Sequence, residues 1–254
     1  GPNTAAFPPA GNADWLVSFD PASGTVTPLA DIGTYERENN PDPYAIDSNL
    51  GGLAIGADGL IYIADAGGNA VYTYDPASGD LKVLAVIPGI PTPDNTPNPL
   101  RGGAAEADPV PTGVAAAPDG GVYVGLLSGA SLWAVPGATK VIHIAPDGTI
   151  TDALTGLDLV VGVAVGSDGT IYATELSTNF FADPPAAGQV ASGAMGGPGT
   201  PSIAGLPLPY GVAVAENGDI YVAINSSAPS SAGAVGMVVR CTADSMGGSA
   251  SPVA

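Results

Sequence analysis

Gly52-Leu53-Ala54-Ile55-Gly56-Ala57-Asp58-Gly59-Leu60-Ile61-Tyr62-Ile63-Ala64-Asp65 decides the fold. Apolar side chains alternate on either side of Asp58-Gly59, and Asp-Gly supplies the positive φ that a short hairpin turn needs. The stretch therefore reads as strand, tight turn, strand. It recurs at Gly113–Leu126 around Asp119-Gly120 and Tyr123, and at Gly162–Glu175 around Asp168-Gly169 and Tyr172. A fourth copy, Gly211–Ile224, turns on Asn217-Gly218 and carries Tyr221. The four tyrosines are 61, 49 and 49 residues apart.

Between these inner hairpins lies a second type. Ala70–Val86 turns on Asp75-Pro76-Ala77-Ser78-Gly79, a sequence repeated verbatim at Asp20–Gly24. Lys140 to Leu154 turns on Asp147-Gly148, and Gly188–Ser192 is a weak copy. Two hairpins per repeat make a four-stranded antiparallel unit, and repetition of such a sheet about an axis is the β-propeller answer to exposed edges. The expected class is all-β, a β-propeller of four-stranded blades, with inner hairpins near 51–65, 112–126, 161–175 and 210–224. A sandwich is the alternative, but sandwiches seldom repeat one hairpin four times. The propeller spans 15–242, between an N-terminal extension (1–14) and a C-terminal tail (243–254). About 17 strands are visible against roughly 24 in a closed six-bladed ring. The expectation is that a segment before Gly1, or another chain, completes the ring.

Composition sets limits. The 254 residues include 37 Gly and 26 Pro, which disfavours a helical bundle. Five Lys and Arg against 24 Asp and Glu give a net charge of −19, so phosphate backbones and anionic lipids are repelled. No nucleic-acid partner and no membrane span are expected. One cysteine, Cys241, allows no intrachain disulfide and reads as a small buried hydrophobe. His143 alternates within a strand, on its more polar face, and lacks a zinc constellation. No Gly-x-Ser-x-Gly elbow offers an acyl-transfer nucleophile.

Leu29–Asp42, with Tyr35-Glu36 and Asn39-Asn40-Pro41-Asp42, then Asp47-Ser48-Asn49, Ala64–Ala70 and Val110–Ala115, resemble the scytonemin-cluster D/E-type (ScyD/ScyE) propellers. That resemblance, running from about Trp15 to Arg240, implies a secreted or cell-surface six-bladed propeller related to NHL repeats. It carries no secure enzymatic role. The expected function is accordingly a non-catalytic extracellular binding or assembly propeller, with a protein partner or self-assembly and no catalytic residues.

The alternative is a calcium-dependent propeller hydrolase or lactonase. Such enzymes hold a divalent ion on the axis with Asp, Asn and Glu from inner strand ends. Three residues after each repeated Tyr stand Asp65, Leu126, Glu175 and Ile224, with Asn225 one place on. Asp65, Glu175 and Asn225 are thus the ligand or metal candidates, few for a hard cation that wants six or more oxygens. Asp65 reads more readily as a turn residue, and Glu175 as a solvated loop carboxylate.

Tyr35, Glu36, Asn39, Asn40, Asp42, Asp47 and Asn49 form a second candidate group: a calcium- or ligand-contacting loop, or an Asx-turn connection. No cofactor is expected, with calcium as the alternative. Pro88–Pro111 and Ser177–Pro201 read as surface insertions, the second with Phe180 and Phe181 near its start. Asn225-Ser226-Ser227 matches the glycosylation acceptor pattern.

Overall fold

A computed structural model describes residues 14–44, 46–226, 235–242 and 251–252. The N-terminal extension expected over 1–14 lies, apart from Asp14, outside the described residues, as does most of the tail.

The chain opens with a hairpin, β1 (Trp15–Asp20) and β2 (Thr25–Asp31), which runs directly into helix α1 (Ile32–Asn39). A four-stranded antiparallel sheet follows: β3 (Leu50–Ile55), β4 (Ile61–Asp65), β5 (Ala70–Tyr74) and β6 (Leu81–Val86). The proline-rich insertion forms a small ladder of β7 (Ile90–Pro91) with β8 (Glu106–Ala107). The second sheet contains β9 (Pro111–Ala116), β10 (Val122–Leu126), β11 (Thr139–Ile144) and β12 (Ile150–Leu157). The third contains β13 (Val160–Val165), β14 (Ile171–Glu175) and β15 (Gly188–Gly193); after the short β16 (Gly197–Pro198) it ends with β17 (Thr200–Leu206). β16 pairs parallel with β12 and ties the second sheet to the third. The fourth contains β18 (Val212–Val214), β19 (Ile220–Ile224), β20 (Met237–Cys241) and β21 (Ser251–Pro252). Within the expected tail of 243–254, Ser251 and Pro252 pair with Arg240 and Val239.

The four inner hairpins share one register. Tyr62 faces Ala54, Tyr123 faces Ala115, Tyr172 faces Ala164 and Tyr221 faces Ala213 across their ladders. The turn chemistry is equally repetitive. Gly59, Gly120, Gly169 and Gly218 have φ of 82°, 92°, 83° and 84°, the left-handed region that glycine enters without a Cβ penalty. The preceding Asp or Asn side chain accepts the amide two residues on, at 3.0–3.2 Å in all four.

Apolar cores lie between successive sheets, as face-to-face packing requires. Tyr62, Ala64 and Val71 meet Val122, Val124 and Ile142 of the second sheet. Tyr123, Val141 and Leu154 meet Val163, Ile171 and Ala191 of the third. Tyr172, Val190 and Ile203 meet Ile220, Val222 and Val239 of the fourth. Tyr62, Tyr123 and Tyr172 therefore each pack against the sheet that follows their own. The β1–β2 hairpin packs Leu16 and Ala30 with Ile32 against Ile63, Tyr72 and Tyr74 of the first sheet.

The inner strands stack edge to edge through the repeated glycine. A Cβ built on Gly113 would lie 2.6 Å from the Gly162 Cα, and one on Gly52 would be 2.5 Å from the Thr112 carbonyl oxygen. Strand alternation puts the tight inner and outer turns at one end of the sheets. The long connections, 32–49, 87–110, 127–138 and 176–187, all leave from the other end.

Candidate functional site

α1 begins where Asp31 caps it. The Asp31 carboxylate accepts Thr34 N–H at 2.9 Å and the Thr34 hydroxyl at 2.8 Å. Asn40, at φ 40°, ends the helix and donates its N–H to the Glu36 carbonyl at 2.7 Å. Tyr35, Glu36, Asn39 and Asn40 are thus on a capped helix, which corrects the expectation of a continuous loop over 35–49. Eight residues without a 3.6-residue apolar period gave no helical signal.

The helix turns Glu36 inward, to 1% exposure, and leaves Glu38 and Asn39 in solvent. Tyr72 on β5 donates its hydroxyl to Glu36 Oε2 at 2.7 Å, while Tyr35 packs edge-on against the Tyr72 ring. Glu36 Oε1 is buried with no hydrogen-bond partner. Burial raises the Glu36 pKa above its usual range; the Tyr72 hydrogen bond opposes this, and the nearby Asp65, Asp42 and Asp47 add to it.

Asp65, at the end of β4, is fully buried. Its Oδ1 accepts N–H groups from Asn49 (2.7 Å), Gly67 (3.1 Å) and Gly68 (3.1 Å), and its Oδ2 accepts the Ser48 hydroxyl at 2.8 Å. One carboxylate thereby holds the 47–49 segment against the 66–69 turn. Asp47 and Asn49 are otherwise exposed. Asp14, on the same flank, has its carboxyl raised by burial and then by Asp65 and Asp47, against the opposing pull of Arg37.

Asp42 belongs to a neighbouring network. Asn69 donates to it at 2.8 Å and accepts Val110 N–H at 3.2 Å. Arg101, 4% exposed, reaches Asp108 at 2.6 Å, Glu106 at 3.5 Å and Asp42 at 3.8 Å, with its guanidinium 4.5 Å from the Tyr44 ring centroid. The proline-rich insertion thus folds back onto the 40–44 segment. Beside it lies a cavity of about 350 Å³, bounded by Thr92, Asp94, Asn98, Leu100, Glu106 and Asp108.

The expected axial set is not assembled as a metal site. Glu175, 2% exposed rather than solvated, accepts Asp158 N–H on Oε1 and the Gln189 side chain on Oε2, both at 2.6 Å. Burial raises its pKa. Asn225, at φ 57°, donates to the Val235 carbonyl at 3.0 Å. Leu126 and Ile224 sit in the inter-sheet cores. Among the described residues no three His, Cys, Asp or Glu side chains gather as a metal site.

His143 stands in β11, as expected of a strand residue, 5% exposed, 3.1 Å from the Asp119 carboxylate and with its ring tilted against Tyr123. Cys241 is buried as expected. Trp133, Phe180 and Phe181 meet at the long-loop end, where Phe181 is 61% exposed. No helix among the described residues is long and apolar enough to cross a membrane. Sequence reading missed Tyr72 and Arg101: the first faces Glu36 through the β5 register, the second through the fold-back of the insertion.

No protein-family model and no curated protein sequence matches the chain. Solved structures do. Virginiamycin B lyase from Staphylococcus aureus matches with a TM-score of 0.58 at 16% identity, over 95% of this chain and 63% of its own. The calcium-binding protein regucalcin from Agrobacterium tumefaciens gives 0.58 at 17% identity, over 95% and 66%. A gluconolactonase from Xanthomonas campestris gives 0.59 at 16% identity, over 94% and 67%. This chain thus spans somewhat under two thirds of the lyase. These proteins are β-propellers, and likeness at such identity speaks for the fold alone.

Two expectations are corrected by these findings. The resemblance to the scytonemin-cluster propellers has no family match behind it, and the structural likeness runs to gluconolactonase, regucalcin and virginiamycin B lyase. The reading as a non-catalytic assembly propeller gives way for the same reason. The chain has the all-β fold shared by these propellers.

Proposed function

We propose that the chain carries a calcium-dependent hydrolase acting on small lactones at the long-loop end of its sheets. In this reading the four sheets are consecutive blades, and β1–β2 is the outer half of a fifth. The observation that carries it is the placement of buried acid. Glu36, Asp42, Asp65 and Glu175 are buried at the end that also bears the long connections and the cavity. Asp219, the remaining buried acid among the described residues, lies near the opposite end, where Arg240 meets it at 2.6 Å.

Hydrolysis of a cyclic ester needs a water held beside the carbonyl, an acceptor for its proton and stabilisation of the oxyanion that forms. A bound divalent cation supplies Lewis-acid polarisation of the ester oxygen. The chain's own contribution is the desolvated carboxylates of Glu36 and Asp65 to orient water, with Trp133, Phe180 and Phe181 offering apolar surface at the same end. The gluconolactonase and calcium-binding neighbours support this choice of substrate and ion.

The test is base consumption at constant pH with a panel of five- and six-membered aldonolactones. Turnover with calcium, lost on chelation and restored by calcium, is expected. A rate equal to the uncatalysed background across the panel overturns the reading.

A further inference from the structure

Off the Gly68 Cα lies a space with no side chain to fill it. An alanine methyl there would stand 3.2 Å from Asp65 Oδ2, 3.3 Å from the Asp47 main-chain oxygen and 3.3 Å from Glu36 Oε2. Three oxygens of two carboxylates and one carbonyl therefore ring a single point. The second oxygen of Glu36 is buried and without a hydrogen-bond partner, on a side chain 1% exposed.

Charge makes this arrangement expensive as it stands. Asp14, Glu36, Asp47 and Asp65 act on one another electrostatically. The ion pairs of Arg101 go to Asp42, Glu106 and Asp108, and among the described residues no ion pair reaches Glu36, Asp47 or Asp65. A desolvated carboxylate without a counter-ion costs several kcal/mol by general estimates, on the order of the loss from a broken buried pair.

We propose that a hard divalent cation, calcium, is bound in front of Gly68 by Glu36, Asp65 and the Asp47 carbonyl oxygen. Calcium takes oxygen ligands at about 2.3–2.6 Å and tolerates irregular geometry with waters completing its shell. The site differs from the expected axial set: it uses Asp65 but neither Glu175 nor Asn225, and one ligand is main chain. Glu36 Oε2, the oxygen at that point, accepts one hydrogen bond, from Tyr72, which orients the carboxylate and leaves Oε2 a further lone pair for the ion.

This inference deepens the proposed function by placing its ion, but its test needs no substrate. Chelator-stripped protein is titrated with CaCl2 by calorimetry, and with terbium by luminescence excited through Tyr72 and Tyr35. One ion per chain is expected. Glu36→Gln removes a charge without changing shape, and Gly68→Ala fills the space while leaving every charge in place; Gly68 is not in the left-handed region, so alanine is not excluded by backbone conformation. Each is expected to weaken binding by about tenfold or more, while Glu175→Gln leaves it unchanged. Absence of calcium uptake at millimolar concentration overturns the proposal, as do wild-type affinity in both variants or loss of binding in Glu175→Gln. Calcium binding of this pattern without lactone turnover upholds the site and removes the hydrolase reading.

Discussion

Replacing Gly113 by alanine places a methyl group against main chain. Its Cβ would be 2.6 Å from the Gly162 Cα, 2.7 Å from Val163 N and 2.8 Å from Gly162 C. Relaxed contacts between such atoms need about 3.5 Å or more, so β9 and β13 must separate by roughly 1 Å. Neither partner is a side chain that can change rotamer, which puts the penalty toward the upper end of about 1–3 kcal/mol for overpacking. The same gap is bridged by the Thr112 hydroxyl, donated to the Val160 carbonyl at 2.8 Å, and weakening that bond adds about 1 kcal/mol. Alanine returns about 0.4–1 kcal/mol by restricting the unfolded chain. The net loss is about 2–3.6 kcal/mol, or roughly 4–14 °C in Tm at about 2–4 °C per kcal/mol. Gly211 is the matched control, because no described atom lies within 4 Å of its added Cβ. Gly211→Ala should be neutral or stabilising by about 0.4–1 kcal/mol. Calorimetry on the two variants side by side reads the difference. Equal Tm values would refute edge-to-edge stacking of the inner strands through the repeated glycine.

Other outcomes follow from buried polar groups. Arg101→Met leaves buried Asp42 with half-buried Glu106 and Asp108 uncompensated, and should cost about 3 kcal/mol in urea unfolding; a loss under about 1 kcal/mol would contradict the brace. Asp65→Ala strips the acceptor from three N–H groups and one hydroxyl, so limited proteolysis should cut within 46–49 faster than in the wild type. Glu175 has its folded pKa raised above its ordinary 4.5 by burial, so its contribution to stability is complete below 4.5 and is lost as pH rises through the folded value. Glu175→Gln should therefore flatten the fall in stability above pH 4.5, and an unchanged pH profile would count against it.

The repeating part of the fold was legible because its causes are local. Asp-Gly and Asn-Gly need no distant partner to turn the chain, and Ala opposite Tyr in all four ladders follows once the turn fixes register. The candidate site was legible in composition but not in arrangement. Asp65 and Glu175 do stand at equivalent strand ends, yet each is engaged by amides and side chains of its own neighbourhood, through Asn49, Gly67 and Gly68 in one case and Asp158 and Gln189 in the other. No spacing rule anticipates that. Glu36 was visible as one acid among several; its burial depends on the Asp31 cap, the Ile32 anchor and a tyrosine 36 residues later.

A crystal structure of the chelator-stripped chain soaked in CaCl2, with anomalous data, tests the central claim most directly. The account predicts one calcium peak in front of the Gly68 Cα, within ligand distance of Glu36, Asp65 and the Asp47 carbonyl oxygen, and no such peak in Glu36→Gln. A peak shared by Glu175 and Asn225, or none near Gly68, would contradict it.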